Sequence, residues 1–143
     1  MITDRVSIVE RPLGATNRTR YGHWEGDTVV SGKRTGSTAA LVVTVERKTR
    51  LVAARTIPDL RPASFNSAIQ DVQTGVTKMR SLSLDNGIEN RWHGQLSVPA
   101  YLCAPYSSWQ KGSVENANKM IRRYLPKGLD LVTVTPTRLQ DII

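Results

Sequence analysis

Residues 24–57 read WEGDTVVSGKRTGSTAALVVTVERKTRLVAARTI. This stretch contains three β-rich runs, at 24–30, 39–46 and 51–57, separated by a glycine-containing turn and by the short basic link RKTR. Links this short join neighbouring antiparallel strands. The stretch therefore predicts a three-stranded antiparallel meander.

The apolar pattern changes period after this meander, because residues 65–76 carry apolar side chains at helical spacing. The order of strands and helices along the chain predicts an α/β domain whose mixed sheet is flanked by helices. The predicted elements after the meander are a helix over 65–76, a strand at 79–84, a short helix within 88–96, a strand at 101–104, a helix over 113–124 and the start of a helix after Pro136. In the first of these helices, Ser64 lies near the cap and Gly75 near the end. In the second long helix, Ser113 is the predicted cap and Tyr124 belongs to the apolar stripe.

Composition limits the classes of function. The chain has 143 residues, a single cysteine and a formal net charge of +8, which favours a polyanionic partner such as nucleic acid. One cysteine cannot form an internal disulfide, and no Cys/His cluster has zinc-site spacing. No apolar run is long enough to span a membrane. These features predict one soluble, cytoplasmic domain without a membrane partner.

Three acidic residues occupy positions where chemistry is plausible. Asp27 lies within the first strand, Asp85 ends the fourth strand in an Asp-Asn-Gly turn, and Glu115 lies in the first turn of the last long helix. Carboxylates brought together in this way could bind two Mg²⁺ or Mn²⁺ ions about 3.5–4 Å apart. Simpler explanations stay open, because Asp-Asn-Gly is a common turn and Glu115 precedes Lys119 by one helical turn, the spacing of an ordinary ion pair.

Four motifs in order distinguish the chain further. They are GHWEGD at 22–27, VERKTR at 45–50, LDNG at 84–87 and PYSSWQKGSVEN at 105–116. Over about residues 18–131 the chain resembles the DDE transposases of bacterial insertion sequences, of the insertion sequence thirty type, within the retroviral-integrase superfamily. Strand alternation places Glu25 on the same face as Asp27 and does not choose between them, whereas the resemblance chooses Asp27.

The resemblance implies a ribonuclease H-like fold with a five-stranded sheet. It also implies that Asp27, Asp85 and Glu115 are catalytic residues and the ligands of two divalent metal ions, Mg²⁺ or Mn²⁺. The implied activity is DNA strand cleavage and strand transfer, with insertion-sequence ends and target DNA as partners and a homo-oligomer as the active form. We expect a basic N-terminal arm at 1–20 and a catalytic domain at 21–143 that stops before the basic C-terminal segment of this family.

A basic ridge accompanies the predicted acidic site. Lys119 and Arg122 lie on the same helix face as Glu115, and together with Lys111 and Arg123 we expect them to contact DNA phosphates. The alternative for these cations is an ordinary solvated helix face. Other residues near the motifs are candidates for lesser roles: Glu89 for an additional acid, and Tyr106 and Trp109 for base stacking or for packing, with packing favoured for Trp109.

The sequence leaves three functions open. The first is the catalytic core of a DDE transposase. The second is a non-catalytic DNA-binding or assembly module of the same fold, in which the acidic residues bind no metal. The third is a ribonuclease H-like nuclease that cuts DNA without joining it.

Overall fold

The computed structural model of the chain describes residues 6–16, 18–76, 78–85, 87–90, 93–103 and 112–143. The strands are β1 (His23–Val30), β2 (Ala40–Glu46), β3 (Val52–Ile57), β4 (Ser81–Leu84) and β5 (Ala100–Leu102). The α-helices are α1 (Leu13–Thr16), α2 (Pro62–Gly75), α3 (Gly112–Ile121) and α4 (Pro136–Ile142). The three predicted meander strands are confirmed to within one residue at each end.

The five strands form one mixed sheet in the order β3-β2-β1-β4-β5. The meander is antiparallel, whereas β4 pairs in parallel with both β1 and β5. Every residue of β2 is buried, which explains why its sequence is almost continuously apolar rather than alternating. The predicted mixed sheet is therefore confirmed.

The sheet carries a core on each face, and strand alternation assigns residues to them. One core packs against α2 and includes Trp24, Val42, Phe65, Leu82 and Leu84. The other packs against α3 and α4 and includes Val29, Leu41, Val43, Val114 and Ile121. The predicted site residue Asp27 lies on the face covered by α3, because it alternates in phase with Val29.

Helix α2 begins earlier than its sequence pattern suggested. Pro62 occupies its first turn, where the missing N–H of proline costs nothing, and Ser64 therefore lies inside the helix. The Ser64 hydroxyl donates to Asp59, which also accepts the backbone N–H of Arg61 at 3.0 Å. The prediction of Ser64 near the cap position was wrong, because an aspartate three residues before the helix meets these donors.

The ends of α3 differ from expectation in the same way. The helix includes Gly112, so Ser113 is not its cap; Ser113 is buried and bonds the guanidinium of Arg18. After Ile121 the chain tightens into a turn, and Tyr124 is 58% exposed while Leu125 is fully buried. The prediction that Tyr124 continues the apolar stripe was wrong because the helical phase ends at Ile121.

Two further predicted helical segments are present in the structure. The short helix predicted within 88–96 is present as two 3₁₀ turns, Ile88–Asn90 and His93–Gln95, and the helix after Pro136 is confirmed as α4. The described part of the N-terminal arm lies on the domain, because Ile8 and Ala15 are buried. Among the described residues, no helix has the length and apolar character needed to cross a membrane.

Candidate active site

Strands β1 and β4 place Asp27 and Asp85 on the same face of the sheet. Asp27 alternates in phase with Val29, which packs in the α3-side core. Leu84 packs in the α2-side core, so Asp85, the next residue, has the phase of the opposite face. In the parallel pairing of β1 with β4, Glu25 lies opposite Ser83, and the two aspartates each follow by two residues. Asp27, on β1, and Asp85, immediately after the neighbouring strand β4, are therefore level with each other.

Helix α3 lies along β1 and runs in the same direction. Three contacts in succession establish this. The N–H of Val114 donates to Glu25 Oε1 at 3.2 Å. Asn118 Nδ2 donates to Asp27 Oδ2 at 3.2 Å, and Arg122 Nη2 donates to the carbonyl of Val30 at 3.0 Å. Glu115 lies one turn before Asn118, so α3 brings it to the same face as the two aspartates.

The two aspartates have similar surroundings. Asp27 Oδ1 accepts the N–H of Thr28 at 2.8 Å, and its other oxygen accepts Asn118. Asp85 Oδ1 accepts the N–H of Gly87 and the side-chain amide of Asn90, both at 3.0 Å. Asp85 thus bonds the backbone of Gly87, and an asparagine amide fixes each carboxylate.

Both of these asparagines have an unsatisfied oxygen. Within the described part of the chain, Asn90 Oδ1 and Asn118 Oδ1 are buried without a hydrogen-bond partner. Leaving a buried acceptor unsatisfied costs about 1–3 kcal/mol, so such atoms are uncommon in stable cores. Amide and carboxylate oxygens are the donors that Mg²⁺ and Mn²⁺ prefer. The side chains around Asp27 and Asp85 thus offer the type of oxygen ligand that a hard divalent ion prefers.

Glu115 is less constrained than either aspartate. Its side chain is partly buried and forms no hydrogen bond or ion pair with any residue that the structure describes, so the ion pair with Lys119 is not formed. Across the described ranges, no three His, Cys, Asp or Glu side chains are grouped closely enough to hold a metal ion. The three acids thus share a face without forming a compact cluster.

Glu25 has a structural environment that the sequence pattern did not indicate. It is fully buried and forms an ion pair with Arg47 of the VERKTR motif while it accepts the N–H of Val114. Arg18 joins this cluster by donating to the carbonyl of Arg47 at 2.9 Å and to Ser113. Burial and the nearby charge of Arg47 lower the pKa of Arg18. Glu25 therefore ties the first turn of α3 to β1, whereas Asp27 is only half-buried.

Glu89 lies beside the same strand. It is 6% exposed, and Thr28 Oγ1 donates to its Oε1 at 3.0 Å. A Cβ on Gly87 would lie 2.4 Å from that oxygen, so the glycine leaves space for the carboxylate. The sequence marked Glu89 as a possible additional acid, and the structure places it next to the residue that follows Asp27.

The predicted DNA-contacting cations differ in their surroundings. Lys119 and Arg123 are exposed. Arg122 donates to the carbonyls of Leu125, at 3.2 Å, and Val30, and burial lowers the pKa of its guanidinium, which stays charged at neutral pH. Three residues from the sequence analysis, Tyr106, Trp109 and Lys111, lie outside the described residues.

Comparison with known proteins gives several relatives. The chain is 40% identical to the transposase for insertion sequence element IS1086 of Cupriavidus metallidurans, over 99% of this chain and 42% of that protein. It is 35% identical to transposase InsI for insertion sequence element IS30C of Escherichia coli, over 96% of this chain and 37% of that protein. No protein-family profile matches. The chain spans about two fifths of the length of these curated relatives.

Two solved structures resemble the fold. The catalytic core domain of BIV integrase superposes with a TM-score of 0.54 at 24% identity, over 72% of this chain and 68% of that one. A chain of the simian T-cell lymphotropic virus intasome in complex with PP2A regulatory subunit B56 gamma superposes with a TM-score of 0.62 at 20% identity, over 73% of this chain and 39% of that one. The predicted ribonuclease H-like fold is confirmed.

Proposed function

This chain is homologous to the IS30-type insertion-sequence transposases along nearly all of its length, and we propose that it is the catalytic core of such an enzyme. The proposed activity is metal-dependent cleavage of DNA strands at insertion-sequence ends, followed by transfer of the freed ends to target DNA. The partners are then the element ends and the target, and the proposed location is the cytoplasm.

One observation carries this proposal: Asp27 on β1 and Asp85, immediately after β4, lie level with each other on the face along which α3 carries Glu115. These residues come from remote parts of the sequence, yet the topology brings them to one region of one face. Open α/β sheets bind ligands beyond the carboxyl ends of their parallel strands, and Asp85 lies immediately after β4.

We propose that Asp27, Asp85 and Glu115 hold two divalent ions, Mg²⁺ or Mn²⁺. When bound, such a pair activates the attacking oxygen and stabilises the leaving oxygen in phosphoryl transfer. Since the three carboxylates do not form a compact cluster in the described structure, the proposal includes their convergence in the active complex. The unsatisfied amide oxygens of Asn90 and Asn118 lie beside the two aspartates and fit the same ligand chemistry.

The remaining side chains of the site act by holding its parts in place. Asn118 and Asn90 orient the carboxylates of Asp27 and Asp85 through hydrogen bonds. Glu25 fixes the helix turn that precedes Glu115, because it accepts the N–H of Val114. We expect these contacts to position the carboxylates rather than to take part in bond making.

DNA contact is proposed for Lys111, Lys119, Arg122 and Arg123, which flank or follow Glu115 on the chain. Arginine suits this role because its planar guanidinium can bind two phosphate oxygens at once. Strand transfer joins two DNA ends to a target, so the proposed active form is a homo-oligomer that holds two such sites.

Substitution of the three acids tests the proposal. We expect Asp27→Asn, Asp85→Asn and Glu115→Gln each to abolish Mn²⁺-dependent cleavage of duplex DNA while DNA affinity stays largely unchanged. Asp141→Asn, an exposed acid on α4, is the matched control and should cleave like the wild type. Cleavage retained in any of the three variants would remove that residue from the site. A strand-joining assay on pre-cut ends separates a transposase from a nuclease.

A second candidate is a non-catalytic DNA-binding or assembly module of the same fold. The spacing of the acids favours it, because the described residues include no group of three that could hold a metal ion. Calorimetric titration with Mn²⁺ distinguishes the two candidates. The catalytic core should take up Mn²⁺ in a manner that depends on Asp27 and Asp85, whereas the module should show no such uptake.

A further inference from the structure

A groove of about 500 Å³ lies at the end of β1 and α3, beyond the candidate active site. It is lined by residues 30–34, Arg122 and residues 127–128. Four of these side chains are cationic, namely Lys33, Arg34, Arg122 and Lys127, and none is acidic. We call these four residues and the space between them the basic groove.

Two glycines build the basic groove by letting two loops cross. A Cβ on Gly32 would lie 2.3 Å from the Cα of Gly128, so no side chain other than hydrogen fits at this position. The N–H of Gly32 donates to the carbonyl of Leu129 at 3.1 Å, and Gly128 has a φ of +95°, which favours glycine. The crossing brings the loop that carries Lys33 and Arg34 against the loop that carries Lys127.

The base of the basic groove is fixed by hydrogen bonds. Arg122 donates to the carbonyls of Val30, Leu125 and Pro126 at 3.0–3.3 Å, and Ser31 Oγ accepts the N–H of Leu131 at 2.9 Å. These contacts link the end of β1 to the segment after α3. The cationic side chains therefore extend from two loops whose backbones are linked by hydrogen bonds.

The charge of the basic groove is not neutralised within the described part of the chain. Lys33, Arg34 and Lys127 are exposed and form no ion pair with a described residue. The nearest acid in sequence, Asp130, uses its carboxylate to accept the N–H of Val132 at 3.0 Å. Like charges held together in this way repel each other, and a polyanion relieves that repulsion.

The basic groove is in line with the candidate active site. Val30 follows Asp27 by three strand residues, which is about 10 Å. Arg122, the residue after α3, follows Glu115 by seven residues and still bonds the carbonyl of Asn118, which places it about 10 Å along the helix axis. Since duplex DNA rises about 3.4 Å per base pair, this distance corresponds to about three base pairs.

We propose that the basic groove binds backbone phosphates of duplex DNA about three base pairs from the position of the three acids. This inference rests on the proposed function, and it adds the Lys33, Arg34 and Lys127 contacts to the α3 cations already considered. Binding through phosphates alone is independent of base sequence.

The test compares two triple variants that each remove three positive charges. The groove variant is Lys33→Ala/Arg34→Ala/Lys127→Ala. The control variant is Arg61→Ala/Lys78→Ala/Arg138→Ala, whose three cations are also exposed but lie outside the basic groove. Fluorescence anisotropy with a duplex of arbitrary sequence, about three helical turns long, gives the Kd between 50 and 200 mM salt.

Each lost phosphate contact should lower the slope of log K against log salt by about 0.9. We expect the slope of the groove variant to fall by about 2–3 and its affinity at low salt to fall at least about tenfold, while the control variant changes its slope by less than about 1. Equal losses in both variants, or an unchanged groove variant, would overturn the proposal. Thermal denaturation checks that both variants fold.

Cleavage separates this inference from the proposed function. If the wild-type chain binds the duplex through the basic groove but does not cleave it with Mn²⁺, the groove stands and the transposase proposal fails. If the chain cleaves DNA while the groove variant keeps its affinity and salt slope, the transposase proposal stands and the groove inference fails.

Discussion

Two acids on β1, separated by a single residue and pointing to the same face, have opposite surroundings. Glu25 is fully buried and bonded to Arg47 and to the backbone of α3. Asp27 is half-buried and accepts hydrogen bonds from the N–H of Thr28 and the amide of Asn118. We call the cluster of Glu25, Arg47, Arg18 and Ser113 the closed end, and the region of Asp27, Asp85 and Glu115 the open end.

The two carboxylates differ in how their charges and oxygens are satisfied. At the closed end every carboxylate oxygen of Glu25 has a donor, so the negative charge is neutralised and fixes α3. At the open end two asparagine oxygens lack a partner, and Glu115 has none among the described residues. The fully bonded Glu25 stabilises the fold, whereas the amide oxygens beside Asp27 and Asp85 keep unused acceptor capacity.

The largest effect on stability is expected from breaking the closed end. Arg47→Ala leaves the buried Glu25 with only the more distant Arg18, at 4.0 Å, as an ion-pair partner, which should lower the free energy of unfolding by up to about 3–5 kcal/mol. Lys48→Ala, which removes an exposed cation from the same turn, should change it by no more than about 0.5 kcal/mol. Urea denaturation measures both. Similar values for the two variants would show that Glu25 and Arg47 do not fix α3.

A smaller effect is expected at the border between the two ends. Thr28→Val removes the hydroxyl that donates to the buried Glu89 and leaves that carboxylate oxygen unsatisfied. The free energy of unfolding should fall by about 1–3 kcal/mol. Thr28→Ser keeps the hydroxyl and is the matched control. A loss in the serine variant as large as that in the valine variant would mean that the methyl group, not the hydrogen bond, matters at this position.

At the open end, Asn118→Ala should have little effect on stability. The substitution removes the bond to Asp27, worth about 1 kcal/mol, but it also removes the unsatisfied Oδ1, and the two changes offset each other. We expect a change below about 1 kcal/mol in denaturation. A loss comparable to that of Arg47→Ala would make the open end as structural as the closed one.

A pH dependence should arise at the start of β1. Burial, with the positive charges of Arg20 and Arg80, lowers the pKa of His23. The unfolded chain therefore binds a proton at higher pH than the folded chain, so stability is complete above about pH 6.5 and falls below it. The slope cannot exceed about 1.4 kcal/mol per pH unit for one group. His23→Gln should reduce this slope in urea denaturation; an unchanged slope would assign it to another residue.

Much of the fold could be predicted from the local pattern of apolar residues in the sequence. The three meander strands and α2 follow from periodicity, because each buries a continuous apolar face. The starts of α2 and α3 were not accessible: the cap of α2 depends on Asp59, and Ser113 is held by Arg18 from the N-terminal segment. Neither contact leaves a periodic signal in one sequence, because the first is a side-chain bond just outside the helix and the second joins residues 95 positions apart.

The candidate site shows the same division. Motif resemblance selected Asp27, Asp85 and Glu115, and the sheet register brings the first two level with each other. The sequence could not distinguish the surroundings of Glu25 from those of Asp27, because alternation gives both the same face. Only the three-dimensional position of Arg47, across the β1–β2 pair, identifies Glu25 as the structural partner.

The proposed metal site can be tested by a crystal structure of the chain soaked with Mn²⁺ and measured at a wavelength that gives an anomalous manganese signal. We expect two manganese peaks held by oxygens of Asp27, Asp85 and Glu115, with Glu25 still bonded to Arg47. Peaks elsewhere, or none while the three carboxylates remain apart, would contradict this expectation.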